Sequence, residues 1–268
     1  MHVHFLDPYQ FRTSPVHTLD PRVKLVLVLS YILTCALMPI GAWPVYILLL
    51  TLVFSFELLS SLGIKYVLRR ALLALPFMLA AFPVIFTNGQ TVLFSAKIGS
   101  LQLAAYAEGL ERFVSVALKS WLSVQAAIVL AASTPFPELL QAMRAVRIPR
   151  LLVSLFGLMW RYLFVLVDEA LRLMRARQAR SGESGRPGAR KGGSVAWRAR
   201  VAGGMAGNLF LRAFERSDRI YMAMVARGYD GEIRALPMPP VPESDWLALG
   251  GGVGLMLLLL LFGILFWG

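Results

Sequence analysis

Residues 211–231 read LRAFERSDRIYMAMVARGYDG, and the reading of this stretch sets the architecture. Glu215 stands four residues ahead of Arg219, an ion-pair order that supports a helix. Phe214, Tyr221, Met222 and Val225 supply apolar side chains at helical spacing. Gly228 is the residue type that closes a helix, because it tolerates positive φ. Arg227 therefore stands in the last turn, where the helix dipole favours a cation. Residues 171–182, LRLMRARQARSG, repeat the design: a basic helix runs into Ala179-Arg180, then Ser181 and Gly182. Each arginine tip follows a small alanine, so another surface can approach the backbone there, and a guanidinium can pair bidentately with a carboxylate.

These basic helices sit in a chain of 268 residues that is 57% hydrophobic, above the 45–50% of soluble domains. Apolar runs of about the length that crosses a bilayer recur along it. The formal net charge of +12 invites a nucleic-acid reading, but the distribution of charge argues against it. Residues 135–244 hold 18 of the 27 Lys and Arg and 9 of the 15 acids, a net +9 of the +12. A basic block between hydrophobic runs marks a cytoplasmic segment. The single cysteine, Cys35, lies in an apolar run and neither bridges nor builds a metal cage. The first seventeen residues lack the basic region and apolar core of a cleavable signal, so the first span is expected to direct insertion.

The chain divides accordingly. Residues 1–20 form a polar N-terminal segment, residues 21–134 carry four spans, residues 135–244 form the basic segment, and residues 245–268 form the last span. Asp20 is a capping residue and Pro21 fits the first helical position. The spans run Val23 to Met38, Val45 to Leu62, Ala71 to Phe86, Trp121 to Ala132 within a helix from Ala104 to Ser133, and Asp245 to Trp267. Pro76 and Pro83 kink the third. Residues 91–103 have weak strand character and read as an ordered external loop. A short amphipathic helix covers Glu138 to Val146. Long helices follow over Arg150 to Arg180 and Val195 to Arg227, separated by a Gly/Ser/Arg-rich linker over 182–193. Arg161 makes a further span over 150–167 costly, so that half is read as tilted or interfacial. The turn at Gly41 carries no cation, whereas the loop with Lys65, Arg69 and Arg70 is basic. The positive-inside rule then puts the N-terminus and the basic segment in the cytoplasm and the C-terminus outside the cell membrane. The fold class is an all-α polytopic membrane protein with about five transmembrane helices.

Catalytic chemistry finds no footing. The sequence has no GxxxxGK[ST], HExxH or GxSxG pattern. Asp168 and Glu169 precede Arg172 at ion-pair spacing and read as helix-surface partners. His2 and His4, with the N-terminal amine, are weak candidate metal ligands on an otherwise polar terminus. Read alone, an arginine at a helix end is a solvated residue that suits the dipole.

Several motifs are together specific. His17-Thr18-Leu19-Asp20-Pro21-Arg22-Val23-Lys24-Leu25, Ser133-Thr134-Pro135 with Arg147-Ile148-Pro149, Arg161-Tyr162 with Asp168-Glu169, Ala176-Arg177-Gln178-Ala179-Arg180-Ser181, and Glu215-Arg216-Ser217-Asp218-Arg219 through Ala226-Arg227-Gly228-Tyr229 resemble the transmembrane coupling (T) component of energy-coupling factor transporters, cobalt type, the CbiQ family. The resemblance implies a non-catalytic permease subunit without cofactors. Its partners would be two ATPase subunits, a small substrate-binding membrane protein (an S component, CbiM-like) and the lipid bilayer, with no nucleic acid. It makes residues 135–244 a coupling domain of long crossed helices. Ala176, Arg177, Ala179, Arg180, Ala226, Arg227 and Gly228 would contact the ATPases, and Met205, Met222 and Met224 the substrate-binding protein. Ser181 stands where the family has Gly, and two Ala-Arg pairs compete, leaving Arg177 and Arg180 as alternatives. Cobalt or nickel is the implied substrate, with a vitamin such as biotin, or service to several substrate-binding proteins, as the alternative.

Overall fold

The computed structural model describes residues 8–86, 91–98, 101–180, 194–231 and 239–267. His2, His4, Ser181, Gly182 and the linker over 182–193 lie outside the described residues. Among the described residues the regular structure is helical apart from one antiparallel pair of strands. By compact packing it divides into two units, one of residues 4–146 with 238–268, the other centred on 147–237.

The first unit opens with a short helix, α1 (Pro15–Thr18), capped by Ser14. Asp20 then caps α2 (Pro21–Leu37), its Oδ1 accepting from the Arg22 N–H at 2.8 Å, with Pro21 at the first turn. Next come α3 (Trp43–Leu59) and α4 (Ile64–Ala71). The expected third span is not one helix. A 3₁₀ turn (Leu72–Ala74), the five-residue α5 (Leu75–Leu79) and a second 3₁₀ segment (Phe82–Phe86) replace it. Pro76 and Pro83 each remove an N–H donor and clash with the preceding turn, and two such sites within eight positions break the segment rather than bend it. Within the stretch of weak strand character, β1 (Val92–Ile98) pairs antiparallel with β2 (Leu101–Tyr106). Then follow α6 (Ala107–Ser133) and α7 (Phe136–Ala145).

The second unit holds α8 (Arg150–Arg180) and α9 (Val195–Val225), the latter capped by Ser194, whose Oγ accepts from the Trp197 N–H at 3.2 Å. The last helix, α10 (Glu243–Trp267), returns to the first unit. Among the described residues α6, α8 and α10 are long and apolar enough to cross a membrane, and α3 is a shorter apolar helix. The long helix read over Arg150 to Arg180 is α8, unbroken and of spanning length, and it carries Arg161 within it.

The core of the first unit joins four helices: Tyr31, Cys35 and Met38 of α2, Leu49 and Val53 of α3, Leu122 and Ala126 of α6, and Met256 and Leu259 of α10. The Tyr31 hydroxyl donates to the Leu49 carbonyl at 2.9 Å. In lipid, apolar burial between helices gains little, so close packing and such hydrogen bonds carry the association. At Gly109 of α6 an added Cβ would lie 2.5 Å from the Ile85 carbonyl oxygen, and glycine lets the broken segment rest directly on the helix. The outer faces carry Leu33, Leu37, Leu48, Leu258, Leu261 and Phe266, all exposed, as lipid contact requires.

A polar knot ties the ends of these helices. Asp245 Oδ2 accepts from the Asp20 N–H at 2.8 Å, and Arg22 donates to the Pro239 carbonyl. The buried Lys24 ammonium donates to the carbonyls of His17 and Ser133, each at 3.3 Å. The Gln10 N–H reaches the Ala132 carbonyl at 2.9 Å. The His17 ring bridges Ser14 Oγ at 2.7 Å and the Gln10 carbonyl at 3.1 Å. Because a carbonyl only accepts, Nε2 of His17 carries the proton and Nδ1 accepts from Ser14. The HTLDPR motif is therefore a knot joining the starts of α2 and α10 to the end of α6.

Candidate functional site

The residues singled out from the sequence gather on α8 and α9. The two helices run antiparallel, since Tyr162 meets Arg216, Glu169 meets Arg212, and Arg177 meets Trp197. Glu169 reaches Arg172 at 3.8 Å, as the spacing predicted, but its shorter bond, 2.6 Å, is to Arg212 across the pair. The Arg216 guanidinium lies 5.7 Å from the Tyr162 ring centre and that of Arg177 lies 5.9 Å from the Trp197 ring centre, both within cation–π range. Three cations thus clasp the helices. None was legible as an interhelix pair, because a sequence gives the spacing within a helix and not the partner across it. Trp197 inside the basic run VAWRAR was the one available signal.

The two candidate arginines of the first motif occupy different settings. Arg177 is half-buried against Trp197, whereas Arg180 ends α8 and is exposed, as are Ala176 and Ala179. Ala176, Arg177 and Arg180 flank a cleft completed by Trp197, Gly204, Met205 and Asn208.

The second motif is a fixed helix end. Gly228 has φ +80°, its N–H donates to the Val225 carbonyl at 2.9 Å, and the Tyr229 N–H donates to the Met224 carbonyl at 3.0 Å. These two bonds with a left-handed glycine define the Schellman cap. Arg227 is therefore the capping residue itself, exposed, on backbone whose direction the cap determines. From Trp197, beside Arg177 in the last turn of α8, to Arg227 is about 45 Å along α9 at 1.5 Å per residue.

Between the tips, α9 turns Val201, Met205, Leu209 and Met224 inward as half-buried residues. Phe210, Phe214, Tyr221 and Val225 stay exposed, by 68, 59, 55 and 47%, on the face that also presents Gly203 and Gly207. A Cβ added at either glycine would meet nothing, so their small size serves no contact within the chain. The apolar stripe read from residues 214–225 is thus an open face. Of the three methionines, Met222 is 66% exposed, while Met205 lines the cleft and Met224 is half-buried.

The first unit offers a different picture. A small pocket among α2, α3, α6 and α10 is almost wholly apolar, with Lys24 and Ser133 at its polar margin. Glu57 and Gln125 are fully buried, with no hydrogen-bond partner for either side chain among the described residues. No group of three or more His, Cys, Asp or Glu placed to hold a metal occurs among the described residues.

A family model for the cobalt transport protein CbiQ matches residues 12–237. The chain belongs to the CbiQ family. It is 30% identical over 265 residues to the energy-coupling factor transporter transmembrane protein EcfT of Exiguobacterium sibiricum, covering 94% of each chain. It is 26% identical over 240 residues to the cobalt transport protein CbiQ of Salmonella typhimurium, covering 85% of this chain and 97% of that one. It is 25% identical over 269 residues to a putative fused cobalt transport protein CbiMQ of Methanocorpusculum labreanum, covering 98% of this chain and 42% of the fusion. CbiQ and EcfT are membrane components of transporters, which is not itself a catalytic role. The matched range takes in the HTLDPR motif, the α8–α9 clasp and both arginine tips.

Proposed function

We propose that this CbiQ-family chain is the coupling subunit of an ATP-driven importer and carries motion from two ATPase subunits to a small substrate-binding membrane protein. The observation that carries this reading is the arrangement of the α8–α9 pair: an exposed arginine at the end of each helix, Arg180 on α8 and Arg227 on α9, about 45 Å apart along the rod, with an uncovered apolar face of α9 between them. Two guanidiniums so far apart suit two separate acidic grooves. Arg180 and Arg227 are the ATPase contacts, and Arg177, held by Trp197, aims the end of α8. Ala176, Ala179, Ala226 and Gly228 let the partner surfaces close on the backbone. The face with Gly203, Gly207, Phe214, Tyr221 and Met222 takes the substrate-binding protein, small residues allowing close approach of a membrane helix. ATP binding by the partners moves the tips, and the clasped helices transmit the movement as one body. The N-terminus and residues 135–244 face the cytoplasm, on the side where ATP is.

Cobalt or nickel is the substrate class, supported by the family and by a relative whose name describes a fusion of CbiM with CbiQ. The similarity to proteins named EcfT supports a second reading, in which the same subunit serves a vitamin-binding partner.

The test is co-purification and transport in vesicles holding the chain with its ATPases and membrane partner. Arg227→Ala and Arg180→Ala each lower ATPase retention by about 2 kcal/mol or more, as truncation of a buried interface arginine does, and abolish uptake. Arg177→Ala reduces it less. Normal uptake by both tip variants would overturn the proposal, and uptake of biotin without uptake of Co²⁺ would favour the second reading.

A further inference from the structure

The basic segment at Lys65, Arg69 and Arg70 lies outside the coupling helices. On α4, Val67 and Ala71 are fully buried, with Val67 packed among Leu62, Val129 and Ala132. Lys65 and Arg69, one turn apart, lie on the opposite face, and all three cations are exposed. Among the described residues no carboxylate lies within ion-pair reach of Lys65, Arg69 or Arg70. The Arg70 guanidinium stands 4.7 Å from the Tyr66 ring centre, and the Tyr66 hydroxyl donates to the Pro8 carbonyl at 3.4 Å, which fixes the platform beneath it. Large exposed apolar side chains bracket the helix: Leu58 and Leu59 before it, Leu72, Leu73 and Phe77 after it.

Exposed hydrocarbon of this kind, in a protein with bilayer-length helices, faces lipid. A short helix with one face packed on the protein and unpaired cations between two such apolar stretches lies at the level of the headgroups. We propose that α4 is a binding site for anionic phospholipid, the phosphodiester seated between Lys65 and the Arg69 and Arg70 guanidiniums and the acyl chains on Leu72 and Leu73. Guanidinium binds phosphate oxygens bidentately, and Arg70 is held in place by its ring contact before lipid arrives. A lipid rather than a free anion is the occupant, because the adjoining leucines add apolar contact that free phosphate cannot use.

Native mass spectrometry of the detergent-purified full chain, titrated with phosphatidylglycerol or phosphatidylcholine, tests this. Each cation contributes about fivefold, so phosphatidylglycerol binds at least tenfold more tightly than phosphatidylcholine. Lys65→Gln and Arg69→Gln, at exposed positions, each lower that preference about fivefold, and the triple variant with Arg70→Gln abolishes it. Arg69→Lys with Arg70→Lys retains part of it, since charge remains and the fork is lost. Arg198→Gln with Arg200→Gln, which removes two exposed cations of α9, leaves it intact. Equal loss in that control, an undiminished preference in the α4 variants, or displacement of phosphatidylglycerol by 50 mM inorganic phosphate at roughly its own affinity would overturn the proposal.

Discussion

Gly228→Val isolates the cap at the end of α9. Gly228 has φ +80°, and a Cβ there would meet no atom within 4 Å beyond its chain neighbours, so the substitution removes no packing and its Cβ has room. Its cost is conformational: about 1–2 kcal/mol for holding an L-residue in the left-handed region, with a β-branched residue at the upper end. The chain relieves that cost by giving up the Gly228-to-Val225 and Tyr229-to-Met224 bonds, and Arg227 then leaves its fixed direction. If docking requires the capped form, affinity for the ATPase partners falls by the same free energy, roughly 5- to 30-fold. Hydrogen exchange reads the first step as faster exchange of the Gly228 and Tyr229 amides, with the amides of α2 and α6 unchanged. Titration of the ATPases onto the variant in nanodiscs reads the second. Gly228→Asn, which tolerates positive φ, recovers most of both. Valine and asparagine variants of equal affinity, or a valine variant with native exchange at 228–229, would refute the reasoning.

Other perturbations follow from single contacts. Lys24→Met leaves the buried carbonyl of Ser133 without its donor, and thermal unfolding in detergent should show a loss of about 1–3 kcal/mol; an unchanged midpoint would show that water replaces the ammonium. Gly109→Ala sets a methyl 2.5 Å from the Ile85 oxygen and 2.9 Å from that of Val84. Backbone cannot rotate away as a side chain can, so the 82–86 segment separates from α6 at a cost of about 1–3 kcal/mol, seen as a lower melting temperature and faster proteolysis near 80–86. Burial, with the nearby Lys24 and Arg12 cations, holds the His17 ring below its ordinary value of 6.5, against the opposing pull of the Gln10 carbonyl. Between the folded value and 6.5 the unfolded chain binds a proton that the folded chain refuses. The contribution is therefore complete above pH 6.5 and is lost as pH falls through that window. Melts at pH 7.5 and 5.5 should show a larger drop for the native chain than for His17→Asn, and parallel drops would remove His17 from the account.

The membrane character, the helical class, the cap at Asp20 and the stop at Gly228 were all written in the sequence, because each depends on residues within one turn or on the length of an apolar run. The motifs were equally local, which is why the family was readable from them. Three things were not. The third apolar run looked like a span, but two prolines withdraw donors close together, and whether a segment kinks or breaks depends on what covers the freed carbonyls. Arg177 and Arg180 were equivalent as letters three positions apart. Only the return of α9 antiparallel to α8 set an indole beside the first and left the second exposed in the last turn. Periodicity says which side chains share a face, and tertiary packing decides which face is covered. The stripe at Phe214, Tyr221 and Val225 has the spacing of a core, but α8 lies along the other side of α9, so it remains open.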